Sequence, residues 1–182
     1  MAHFIDESFR PSVPVYVVAS VQVDAHHAAR LRYDIKGLLP PRAGRFHWRN
    51  ESEASRFRML EVLTGSEAIA EVYVCTATQK QERSRTQCIE LMLWDLMTGD
   101  APELVFESRQ EHNDRRDRSK ILNSQKRGAA PELLRYSFEL PHREPLLWLA
   151  DAAAGAVSAS YAGDGRYVAR LGASVLVKEV GL

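Results

Sequence analysis

Phe4-Ile5-Asp6-Glu7-Ser8, followed by the apolar run Val13 to Val23, decides the fold of this chain. The first stretch reads as a short strand over residues 2–5 with a carboxylate at its exit. The second reads as a long strand, and Pro11 and Pro14 punctuate the connection, so the pair predicts a β-hairpin. Val15-Tyr16-Val17-Val18-Ala19-Ser20-Val21 is nearly continuous in apolar character, as a central strand buried on both faces is. A strand end is a rigid platform, so the carboxylate of Asp6 is placed where function gathers in α/β folds.

Working outward, Asp24 is positioned to cap a helix from Ala25 to about Leu38, and Pro40, Pro41 and Gly44 then force a loop. Asn50 and Glu53 have the spacing of a capping box for a helix from Glu51 to Leu63, ended by Gly65. A third strand is predicted over Ala68 to Ala77, and Thr78 and Gln81 are candidate caps for the helix that follows. Ile89, Met92, Leu93 and Leu96 set the apolar face of that helix. Gly99, Asp100 and Pro102 stop it before a strand over Glu103 to Glu107. A polar helix from about Asn113 to Lys126 precedes a fifth strand, Leu134 to Leu140. Pro145 opens an alanine-rich helix to about Tyr161, Gly163 and Gly165 break it, and Val175 to Val180 reads as a last strand. Three consecutive strands followed by alternating helices and strands predict an α/β fold: a ribonuclease H-like mixed β-sheet with helices on both faces and a helical insertion, about residues 25–64, after the second strand.

The 182 residues are expected to form one domain with its own core. No apolar stretch reaches the roughly 20 residues that cross a bilayer, and the first residues lack the pattern of a secretory signal, so a cytoplasmic protein is expected. Cys75 and Cys88 have no metal-ligand spacing and read as buried free thiols. The formal net charge is zero, which removes any global electrostatic case for nucleic acid. The charge is unevenly spread, however. Arg109, Arg115, Arg116, Arg118, Lys120, Lys126 and Arg127 outnumber Glu111, Asp114 and Asp117 in one short window.

Three carboxylates stand out. Asp6 leaves the first strand, Glu107 ends the run Leu104-Val105-Phe106, and Asp151 interrupts the apolar helix among Leu147, Ala150, Ala154 and Val157. An ionisable group on an apolar face carries a desolvation cost that calls for a partner or a metal. The three therefore point to one convergent acidic site. Glu82, in the first turn of its helix, is seven positions before Ile89 and eleven before Leu93, hence on the inward face and a candidate fourth ligand. Glu7 points to the opposite side of the strand from Asp6. His47, between Phe46 and Trp48, is a candidate proton shuttle or phosphate contact.

Phe4-Ile5-Asp6-Glu7-Ser8, Arg45-Phe46-His47-Trp48 and Pro145-Leu146-Leu147-Trp148-Leu149-Ala150-Asp151-Ala152 together resemble a prokaryotic family known as domain of unknown function 3800, of the ribonuclease H-like superfamily. The resemblance spans most of the chain. It implies metal-dependent phosphodiester cleavage, with Asp6 and Asp151 at matching positions. Glu107 stands where the family pattern has aspartate, and Phe9 where it has glycine.

The resulting expectation is a Mg²⁺- or Mn²⁺-dependent nuclease acting on DNA or RNA. Asp6, Glu107 and Asp151 hold the metal, Glu82 and His47 assist, and Arg115, Arg116 and Arg118 guide the phosphate backbone. Two alternatives are a non-catalytic nucleic-acid-binding or interaction scaffold of the same fold, and a hydrolase of a small phosphorylated substrate.

Overall fold

A computed structural model describes residues 1–10, 12–40, 44–76, 80–98 and 102–180. Pro11, Pro41, Ala77, Thr78, Gly99 and Asp100, each given a role above, lie outside the described residues. The chain builds β1 (Ala2–Arg10), β2 (Val15–Val23), α1 (Ala25–Gly37), α2 (Glu53–Gly65), β3 (Ile69–Cys75), α3 (Gln81–Asp95), β4 (Glu103–Glu107), α4 (Glu111–Lys126), β5 (Arg135–Glu139), α5 (Leu147–Tyr161), α6 (Arg166–Leu171) and β6 (Val175–Glu179).

The strands form one mixed sheet in the order β5-β4-β1-β2-β3-β6. β1, β2 and β3 are successively antiparallel, β4 runs parallel to β1, β5 to β4, and β6 to β3. The α/β architecture with helices on both faces is therefore as expected. β2 is buried along nearly its whole length, in keeping with its unbroken apolar sequence.

The period-2 alternation of the strands divides the core in two. Phe4, Val17, Ala19, Val21, Val72 and Val105 face α5, with α1, α2 and α6 on the same side. Ile5, Tyr16, Val18, Tyr73, Leu104 and Phe106 face the other way, onto Cys88, Ile89, Met92 and Leu93 of α3 and Ile121 of α4. α5 is buried from Leu147 to Ala159, and its run of alanines lets its backbone approach β1 and β2 closely.

Several local expectations need correction. β1 does not end at residue 5: it continues beside β2 to Arg10, with Arg10 opposite Val15. What ends there is the parallel pairing to β4, whose last register pair is Ile5 with Phe106. Asp6 is thus the first residue beyond a one-sided step in the sheet. Ser52, not Asn50, caps α2. Trp48–Asn50 forms a 3₁₀ turn, Ser52 is extended at φ −65° and ψ 158°, and its side chain accepts from the Ser55 N–H at 3.2 Å. The short helix α6 after the glycine turn, where Gly163 takes φ +93°, was not anticipated.

Candidate active site

Asp6 shares the parity of Phe4, so its side chain projects onto the α5 face of the sheet. Because Ile5 is level with Phe106, Asp6 lies beside Glu107, the final residue of β4 and of the same parity as Val105. The two carboxyl groups are within hydrogen-bonding reach of each other. Asp151 comes down from α5 onto the same face, and its charge acts on both. Three groups far apart in the sequence are brought near enough to act on one another.

Each carboxylate commits one oxygen to a protein donor. Oδ1 of Asp6 accepts the Glu7 N–H at 2.7 Å. Oε1 of Glu107 accepts from Nη1 of Arg45 at 3.2 Å. Oδ2 of Asp151 accepts the Trp48 N–H at 2.8 Å and lies 3.3 Å from Nδ1 of His47. Trp48 is itself held firmly. Arg56 lies over its ring and donates from Nε to its carbonyl at 2.8 Å, and Tyr167 meets the indole edge-on. The indole packs where a Cβ on Gly155 would stand, so only glycine at that point of α5 lets the loop dock.

The electrostatics follow from this crowding. Burial raises the Asp6 carboxyl well above the ordinary carboxylate value, and the charges of Asp151 and Glu107 push it further. Burial also raises Glu107, while the Arg45 guanidinium pulls the other way. The hydrogen bond to Asp151 raises His47, against a smaller opposing effect of burial. A close pair of carboxylates relieves its repulsion when one of the two keeps its proton.

Three carboxylates offer only hard oxygen donors, the ligand type that Mg²⁺ and Mn²⁺ take. Among the described residues, no group of three or more His, Cys, Asp and Glu side chains that could hold a metal ion is assembled. The donor chemistry fits a divalent cation. The side chains would have to draw inward to hold one.

The remaining expected site residues are placed elsewhere. Glu82 stands on α3, which covers the opposite face of the sheet from Asp6, and its Oε1 accepts from Nη1 of Arg109 at 3.0 Å. Arg115, Arg116 and Arg118 are exposed on α4, also on that opposite face. Arg115 pairs with Glu111 one turn back, and Arg118 lies 5.3 Å from the centre of the Phe138 ring. None of the four reaches the carboxylates. Glu7 points to that side as expected, into an ion cluster with Arg85, Arg109 and Asp117.

Sequence reasoning missed Arg45, which answers Glu107, and the main chain of Trp48, which answers Asp151. Both stand in the segment already singled out for His47. A cleft of about 230 Å³ opens beside the site, lined by Ser8, Phe9, Tyr16, His47, Arg49 and Asp151 among others. Cys75 and Cys88 are both buried, and burial pushes the Cys88 thiol up to about 12, so it is inert as a nucleophile. Among the described residues no helix is long and apolar enough to cross a membrane.

No family model, curated protein or solved structure matches the chain.

Proposed function

We propose that the chain is a ribonuclease H-like domain that hydrolyses phosphodiester bonds of nucleic acid with Mg²⁺ or Mn²⁺ held by Asp6, Glu107 and Asp151. The juxtaposition of these three carboxylates on one face of the sheet carries the reading. The strand order supports it: a three-stranded antiparallel meander, extended beyond β1 by two parallel strands, with acids on the first strand, at the end of the fourth and on the helix after the fifth.

A divalent cation bound there supplies positive charge to the phosphoryl oxygens and lowers the pKa of a bound water. The chain's own groups do the rest. Asp6, on the β1–β2 pair, holds the centre of the cluster. Arg45 holds Glu107 at the C-terminal end of β4. Asp151 fixes Nδ1 of His47, which leaves Nε2 directed outward to exchange a proton with water or a leaving oxygen. The raised pKa keeps a larger share of His47 protonated at neutral pH, which suits a proton donor.

The rival is a non-catalytic nucleic-acid-binding scaffold, favoured by one observation: Oδ2 of Asp151 is already taken by Trp48 and His47. Cleavage of DNA and RNA by wild type, Asp6→Asn and Asp151→Asn, with Mn²⁺ and with chelator, decides between them. Metal-dependent cleavage by wild type alone is expected. Inactive wild type with no calorimetric heat on Mn²⁺ addition hands the case to the scaffold.

A further inference from the structure

The cleft beside the carboxylates does not end on their face of the sheet. Its lining also includes Glu7 and Gln81, and Gln81 is the first residue of α3. A second cleft, of about 400 Å³, begins at the next residue: it is lined by Glu82, Arg83, Thr86, Arg116, Asp117 and Lys120, between α3 and α4. Successive residues of the first turn of α3 thus line the one cleft and then the other. Its N-cap, Lys80, makes no side-chain hydrogen bond to the turn.

The floor beneath that junction is one ion cluster. Arg109 reaches Glu7 of the first cleft at 3.6 Å, and Glu82 and Asp117 of the second at 3.0 and 3.2 Å. Arg85, buried below, binds Asp117 at 2.7 Å and also pairs with Glu7. The acids of the floor are thus answered from within. Arg116 and Lys120 stand one helical turn apart on α4 and line the second cleft. Arg115 and Arg118 are spent otherwise, on Glu111 and on the Phe138 ring.

We infer that a single-stranded nucleic acid runs from the carboxylate site across the N-terminus of α3 into the α3–α4 cleft, where Arg116 and Lys120 hold its phosphates. This rests on the nucleic-acid reading of the site and adds a path and a strand type to it. The path turns from one face of the sheet to the other around the end of β1. A duplex, stiff over about 150 base pairs, does not follow such a turn, whereas a single strand does.

The test is fluorescence anisotropy of wild type in chelator, so that no strand is cut, with labelled oligothymidylate and oligouridylate of about 6 and about 20 nucleotides, lengths spanning the site size of one small binding fold. Arg116→Gln/Lys120→Gln is compared with Arg115→Gln/Arg118→Gln, which removes the same charge from the same helix. The first pair is expected to weaken the long oligomers about tenfold at low salt and to flatten the salt slope by about 1.4, two contacts at about 0.7 each. The second pair is expected to stay within about twofold, and the short oligomers to respond to neither. Equal losses from both pairs, or none from the first, overturn the path while leaving nucleic-acid binding intact. Duplex bound as tightly as single strand, with the same sensitivity, overturns the strand type. Wild type that binds no strand of either length defeats the nucleic-acid reading and the path together.

Discussion

Oδ2 of Asp151 accepts the main-chain N–H of Trp48 at 2.8 Å, tying the first turns of α5 to a loop 103 residues earlier. The same oxygen orients His47, while the carboxylate's charge bears on Asp6 and Glu107. One side chain therefore anchors the loop and completes the acidic cluster.

These two duties separate on substitution. Asp151→Asn keeps an oxygen for the Trp48 N–H and loses the charge; Asp151→Ala loses both. Leaving a buried N–H unpaired costs about 1–3 kcal/mol, so the alanine variant is expected to be less stable than the asparagine variant by that amount. Both are expected to lose Mn²⁺ binding. Urea melts measure the first difference and calorimetry the second, and equal stability of the two variants would show that the tether carries no weight.

Gly155 offers a prediction of reversed sign. An interior helical glycine replaced by alanine ordinarily gains about 1 kcal/mol. Here the new methyl group would occupy the space of the Trp48 indole. Overpacking of this kind costs about 1–3 kcal/mol, so Gly155→Ala is expected to lower stability, and thermal melts at matched pH read it directly.

How much of this was legible in the sequence depends on range. The β1–β2 pair, the buried α5 and the shared parity of Asp6 with Phe4 follow from local period and composition, and they were legible. Arg45 and the Trp48 N–H were not, because their partners lie far away along the chain. Glu82 shows the intermediate case: helical period tells which side of α3 meets the sheet, but not which face of the sheet α3 covers. Strand order would have told it. From β3 to β4 and from β4 to β5 the chain moves one way along the sheet, and from β5 to β6 it moves back. Right-handed crossovers then put α3 and α4 on one face and α5 on the other.

The raised pKa of Asp6 has a consequence for stability. The folded protein holds that proton more tightly than the unfolded chain, whose carboxyl titrates near the ordinary 3.8. As pH climbs from there through the raised folded value, the unfolded state loses its proton first, so stability falls. Asp6→Asn removes the effect. Its melting temperature is expected to match wild type near pH 4 and to exceed it increasingly toward pH 7. A constant difference across that range would mean that Asp6 is not under the stress assigned to it.

Arg85 provides the last test, on the face opposite the carboxylates. Its guanidinium is almost fully buried, bidentate to Asp117 and paired with Glu7, the residue next to Asp6 on β1. Its charge also opposes the rise in the Asp6 pKa from across the sheet. Arg85→Met keeps most of the bulk but leaves Arg109 as the one cation paired with Asp117 and Glu7 among the described residues. Breaking a buried pair from one side costs about 3–5 kcal/mol, whereas replacing both partners by apolar groups is often close to neutral. Arg85→Met is therefore expected to be strongly destabilising, and Arg85→Met/Asp117→Leu to recover most of the loss. The titration of Asp6, followed by carboxyl NMR shifts in the double variant, is expected to move upward, because the opposing cation is gone. A double variant as unstable as the single one, with the Asp6 titration unmoved, would mean that the cluster acts through packing and that its charge does not reach the active face.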